Sequence, residues 1–286
     1  MDLLQETDFI MKKYHIFPNK KYGQNFLINE NIIDEIIEKS EITNEDLVFE
    51  IGPGLGNLTK KLLEKSGKVI AIEIDTNLLP LLEERFSLYE NFSLINEDVL
   101  KINFNNIIKQ NNNFKKFKVV ANLPYYITTP ITMKLLEEKT SLDSITIMVQ
   151  KEVAERLAAL NSIKKKADIG AISYAVSYYC DANIIIDVLK ENFYPIPQVD
   201  SSVIKLDILK NPKVSVIDEK LFFNIIRSSF MQKRKTLLNS LSNASIGSKE
   251  FLNEMLLNLN IKSNIRPEEL TLQEFANISN YISKLN

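Results

Sequence analysis

From residue 46 onward, short runs of β-branched and aromatic residues alternate with amphipathic stretches. DLVFEI at 46–51, KVIAIEI at 68–74, residues 92–96, KVVAN at 118–122 and residues 145–149 read as strands. Between them, 57–65, 77–86, 130–139 and 152–160 carry the 3.6-residue period of helices. Strands separated by helical crossovers predict a mainly parallel sheet covered on both faces. After a helix-like stretch at 171–180 come two apolar runs, 184–189 and 202–209, with no helix between them, which predicts an antiparallel hairpin at the end of the sheet. Beyond Pro212 only the helical period remains, at 219–231, 236–242, 249–259 and 271–284. The expected division is an α/β domain over 1–210 and a small all-α domain over 211–286. Ahead of residue 46 the pattern predicts a helix around Glu30–Lys39, preceded by a polar and mobile lead-in, and NNN at 111–113 reads as a loop tip.

Composition narrows this picture. The 286 residues are 45% hydrophobic and 25% charged, within the globular range, and no apolar run approaches the ~20 residues needed to span a bilayer. Cys180 is the one cysteine, so no internal disulfide forms, and no basic-then-apolar leader opens the chain. Asp2, Glu6 and Asp8 come early while the first arginine is Arg85, which argues against an organellar transit peptide. A cytoplasmic protein is expected. The net charge of −2 divides into −5 over residues 1–210 and +3 over 211–286, where Arg227, Lys233, Arg234 and Lys235 fall within nine positions. Such a patch suits phosphate contacts, although a solvated lysine-rich face has the same composition. No His/Cys cluster has the spacing of metal ligands, so no metal is expected.

Glu50-Ile51-Gly52-Pro53-Gly54-Leu55-Gly56 stands directly after the first strand of the alternating series and before a helix. Glycines there let the backbone turn sharply and approach a ligand closely. No Gly-Lys-Ser/Thr follows, which excludes a P-loop, and the spacing departs from the G-x-G-x-x-G of dinucleotide sites. Glycine spacing alone does not separate a nicotinamide cofactor from S-adenosylmethionine. Glu73 ends the next strand, where a carboxylate can accept both hydroxyls of a ribose, and Asp98 ends the third, where one can accept an adenine amino group. Each acid alone could equally be a helix cap. Together with the glycines they point to one adenosine-shaped pocket at the carboxyl edge of the sheet.

Asn122-Leu123-Pro124-Tyr125 follows the fourth strand. An exocyclic amine on a base is a poor nucleophile because its lone pair delocalises into the ring. The side-chain oxygen of Asn122 and the backbone carbonyl of Leu123 can each accept one N–H, favouring a pyramidal nitrogen whose lone pair points at a methyl donor. Tyr125 would stack on an extruded base. In isolation the tetrad also reads as an ordinary turn after a strand.

In this order the segments resemble the small-subunit ribosomal RNA adenine dimethyltransferases, relatives of the antibiotic-resistance rRNA methylases. KYGQNFL at 21–27, EIGPGLGNLT at 50–59, NLPYYI at 122–127, MVQKEVAERL at 148–157 and FYPIPQVDSSV at 193–203 carry the likeness over nearly the whole chain. The resemblance implies a Rossmann-like S-adenosylmethionine-dependent methyltransferase domain with a helical domain that docks on the ribosomal small subunit. It implies that Asn25, Leu27, Gly52, Glu73, Asp98 and Asn122 contact S-adenosylmethionine, with Gly54 shaping the loop. Asn122, Leu123 and Tyr125 would handle the target adenine, and Phe193 would stack on its other face. Read by itself, Phe193 is more readily an ordinary core residue. RKTL at 234–237 and IRPEELTLQEF at 265–275 look like the small-subunit enzymes, and Lys233, Arg234 and Lys235 are the expected RNA contacts. One departure from the family pattern is Asp168-Ile169-Gly170-Ala171-Ile172-Ser173, where a Tyr-Gly pair is usual, after a lysine-rich loop at 161–167. The expected activity is dimethylation at N6 of two adjacent adenosines near the 3′ end of small-subunit rRNA, by a monomer with rRNA and the small subunit as partners and no membrane. The rivals are a large-subunit methylase conferring drug resistance and a ribosome-assembly factor without chemistry.

Overall fold

The computed structural model describes residues 2–19, 22–160, 169–232 and 234–285. Contacts divide the chain into two units, one running to Ala154 and resuming over Ala182–Ile208, the other comprising Glu155–Asp181 and the chain from Leu209 onward. The sequence pattern places the boundary near 210, whereas contacts group Glu155–Asp181 with the C-terminal helices. The physical reason is aromatic packing: Tyr174 sits 4.8 Å from Phe275, and its hydroxyl donates to the carbonyls of Leu270 (2.6 Å) and Pro267 (3.1 Å).

The strands in chain order are β1 (Phe26–Leu27), β2 (Asp46–Ile51), β3 (Lys68–Glu73), β4 (Phe92–Asn96), β5 (Lys116–Asn122), β6 (Ser144–Gln150), β7 (Cys180–Val188), β8 (Phe193–Tyr194) and β9 (Ser201–Ile208). Seven form one sheet in the order β4-β3-β2-β5-β6-β9-β7. The first five run parallel, and β9 joins β6 antiparallel. This is the mainly parallel sheet with an antiparallel end that the periodicity predicts. β2 is buried along its whole length because helices cover both faces, so its apolar run does not alternate. β1 and β8 pair separately as a two-stranded ribbon, Leu27 opposite Phe193.

Two elements depart from the sequence pattern. The lead-in expected to be mobile forms a helix, Leu3–Lys13. Asp2 caps it, accepting from the amide of Gln5 while the Gln5 side chain returns the bond, and Thr7, Ile10 and Met11 are buried beneath it. A second helix, Phe104–Gln110, starts from an Asn103 cap in a stretch without a sustained apolar stripe. The second unit is all helical after residue 209, with helices at Glu219–Phe230, Leu237–Asn243, Lys249–Asn258 and Leu272–Ser283 around Phe222, Leu241, Leu252 and Phe275. Among the described residues no helix is long and apolar enough to cross a membrane.

Candidate active site

The carboxyl ends of β2, β3 and β5 open onto one cleft. Asn25, Leu27, Gly52, Gly54, Glu73, Asp98, Asn122, Leu123 and Tyr125 all line it. Five segments far apart in sequence are thereby brought to one place.

The floor is the glycine loop. Gly52 and Gly54 have φ of +69° and +59°, a left-handed backbone that disfavours any side chain with a Cβ. A Cβ on Gly52 would meet nothing within 4 Å, so the space above it is open, whereas one on Gly54 would lie 3.2 Å from the Phe26 ring. Gly52 therefore leaves open space in the cleft, and Gly54 makes a contact with β1. On the next strand, Glu73 accepts the Asp75 amide at 2.8 Å and is also hydrogen-bonded by the amides of Gly54 and Ile74. Burial outweighs those amides and pushes its carboxyl up to about 7.

Sequence reasoning assigned no role to Glu50, yet it is the most constrained acid in the cleft. It is fully buried, burial raises its pKa to about 8, and its Oε2 has no hydrogen-bond partner. The signal was present: an acid at a strand end immediately before a glycine loop. Tyr22 and Tyr126 also line the cleft, with the Tyr126 ring against Gly23 at its lip.

Asp98 plays the part that a lone acid would. It caps the turn Val99–Lys101 by accepting the Leu100 amide at 2.9 Å, and it lines the cleft as well. Gln24 fastens the segment before β1 by donating to Asp75 Oδ2 at 2.9 Å. That places Asn25, whose carbonyl accepts Asn122 Nδ2 at 3.0 Å. Leu123 is held by its amide to the Met148 carbonyl at 3.1 Å. The Tyr125 hydroxyl lies 3.0 Å from Ser201 Oγ, which anchors the far end of its ring.

Phe193 stands apart. It is 1% exposed, belongs to the apolar core with Phe26, Leu27 and Val203, and is not among the residues lining the cleft. Arg234 and Lys235 are exposed in the helical unit, while Lys233 and the loop at 161–168 lie outside the described residues.

A model of the ribosomal RNA adenine dimethylase family matches residues 17–284. Ribosomal RNA small subunit methyltransferase A of Clostridium botulinum (strain Kyoto / Type A2) is 48% identical over 276 residues, spanning 96% of this chain and 98% of that one. The protein of the same name from Alkaliphilus oremlandii is 45% identical over 281 residues, spanning 98% and 97%. Among solved structures, a dimethyladenosine transferase from Plasmodium falciparum matches with a TM-score of 0.71 at 27% identity, covering 90% of this chain and 96% of that one. The 23S rRNA methyltransferase ErmE shares the fold, with a TM-score of 0.66 at 21% identity over 91% and 100%.

Proposed function

The chain belongs to the ribosomal RNA adenine dimethylase family, and from that premise we propose that it dimethylates N6 of two adjacent adenosines near the 3′ end of small-subunit rRNA, as a step in small-subunit biogenesis. The observation that carries this reading is the orientation of Asn122. Its Nδ2 is engaged by the Asn25 carbonyl, so Oδ1 is the atom the side chain offers to the cleft as an acceptor.

The cofactor assigned to the cleft is S-adenosylmethionine. The cradle over Gly52 and the unpartnered Oε2 of Glu50 fit it: the first admits close backbone approach, and the second is a buried acid lacking a cation. Glu73 would hold the ribose hydroxyls, Asp98 the adenine amino group, and Asn25, Leu27 and Asn122 the remaining wall, with Glu50 facing the α-ammonium of the amino-acid end. When bound, the cofactor supplies an electrophilic sulfonium methyl.

The chain's own residues supply position and electrostatics. Asn122 Oδ1 and the Leu123 carbonyl accept the two N–H groups of the target amine, draw its lone pair out of the ring plane and aim it along the cleft. Tyr125, braced by Ser201, stacks on the extruded base. Phe193 supports this wall from beneath, as the β8 partner of Leu27. After one methyl transfer a single N–H remains, so the second relies on one acceptor and on the stacked ring. Arg234 and Lys235, with Lys233, are assigned to phosphate contacts in a docking domain. Five arginines against thirty lysines make such contacts mostly point charges without bidentate geometry.

The test is transfer of labelled methyl from S-adenosylmethionine to unmethylated small subunits, with large subunits in parallel and nucleoside digestion afterwards. Dimethyladenosine from the small subunit alone is expected. Label in the large subunit would move the chain to the drug-resistance methylases, and RNA binding without label would make it an assembly factor.

A further inference from the structure

The N-terminal helix, Leu3–Lys13, lies ahead of the segment matched by the family model and takes no part in the chemistry above. Two polar side chains on its inner face nonetheless reach the walls of the cleft. Thr7, fully buried, accepts from Asn57 Nδ2 at 3.2 Å, and the same amide donates to the Leu27 carbonyl of β1 at 3.0 Å. Beside it, Glu6 pairs with Arg85 Nη2 at 2.5 Å. The other arm of that guanidinium donates to the Leu55 carbonyl at 2.7 Å and approaches Asn57 Oδ1 at 3.4 Å.

Leu55 belongs to the glycine loop, and Asn57 opens the helix that follows it. The helix therefore ties together the loop under the cofactor and the strand beside it, through Arg85 on one side and Asn57 on the other. Arg85 and Glu6 are largely shielded, at 14% and 29% side-chain exposure, so this is not a solvated pair of the kind that contributes little. The fork geometry of a guanidinium also fixes direction as well as charge.

We propose that Glu6 and Thr7 are positioning residues for the cofactor site: through Arg85 and Asn57 they set the spacing between the glycine loop and β1, and with it the affinity for S-adenosylmethionine. The inference rests on the reading that this cleft holds that cofactor. A helix that merely adds stability would change the unfolding midpoint and leave ligand affinity alone.

The test is calorimetric titration of the full chain with S-adenosylhomocysteine, with the KM values for cofactor and rRNA measured separately. Glu6→Gln removes the charge from one link and Thr7→Val the acceptor from the other, each keeping the shape of the side chain. Each is expected to raise the dissociation constant roughly three- to tenfold, in line with loss of a shielded hydrogen bond. The KM for cofactor should rise with it, while kcat and the KM for rRNA hold. Asp8→Asn is the control on the same helix, since Asp8 pairs with the exposed Lys12 on its outer face, and should leave affinity unchanged. Wild-type affinity in both variants, or an equal rise in the KM for rRNA, overturns the inference alone. Failure of the wild-type chain to bind S-adenosylhomocysteine overturns the reading of the cleft and the inference with it.

Discussion

Asp46 and Glu50 lie on the same strand, four residues apart and on the same face, and each is 1% exposed. Their surroundings are opposite. At the amino end of β2, Asp46 meets Lys118 Nζ at 2.9 Å and accepts the Thr43 amide at 2.8 Å, while Lys118 also donates to the carbonyls of Ser40 and Glu41. At the carboxyl end, Glu50 has an unpartnered oxygen and Glu73 as a neighbouring like charge. One end of the sheet is closed by its own side chains; the other is left short of a cation. Burial is equal, so the two ends differ in how the buried acid is partnered.

The largest way to break this contrast is Lys118→Met. It strands Asp46 without a countercharge and is expected to lower unfolding free energy by about 3–5 kcal/mol in denaturant titration. Adding Asp46→Leu should recover much of that loss, and affinity for S-adenosylhomocysteine should stay near wild type in the folded double variant. Next is Asn122→Ala at the open end. Removing one preorganised hydrogen-bonding group typically costs about 10²–10³ in rate. Single-turnover methyl transfer should fall at least that far, with the unfolding midpoint and cofactor affinity little changed; near-wild-type turnover would remove Asn122 from the mechanism.

Glu50→Gln sharpens the comparison through pH. The folded chain holds the Glu50 proton more tightly than the unfolded chain, because burial raises its pKa from 4.5 to about 8. Its contribution to the stability of the ligand-free protein is full below 4.5 and is lost as pH rises through the interval up to about 8. Thermal melts across that interval should show a shallower decline in Glu50→Gln, with a residual slope from Glu73, whose pKa is raised to about 7. Affinity for S-adenosylhomocysteine should fall in the same variant, since its ammonium loses the acid it would face. The smallest effect is expected far from both carboxyls. Arg234→Ala with Lys235→Ala should weaken rRNA binding and reduce the slope of log affinity against log salt by at most about 2, with transfer at saturating RNA retained. An unchanged slope would return these side chains to a solvated face.

Local patterning determined most of the architecture. Strand 46–51, helix 57–65 and strand 92–96 fall where the periodicity puts them, because a strand or helix needs only neighbouring residues to declare its buried face. The glycine loop and the acids at the strand ends were legible for the same reason: in a parallel sheet every strand delivers its last residue to one edge. Where a signal was weak or distant, the chain read differently from the fold. The Asp2–Gln5 capping box is a local sign of the N-terminal helix, but a helix that buries three side chains lacks the sustained apolar stripe that would announce it. Phe193 by itself reads more readily as core, and the structure buries it with Phe26, Leu27 and Val203. Only tertiary structure turned the Asn122 amide by offering it the Asn25 carbonyl, gave Asp46 a lysine and withheld a cation from Glu50. Sequence determines which groups are present and which edge they reach; what each group meets there depends on partners many residues away, and a buried charge is governed by those partners.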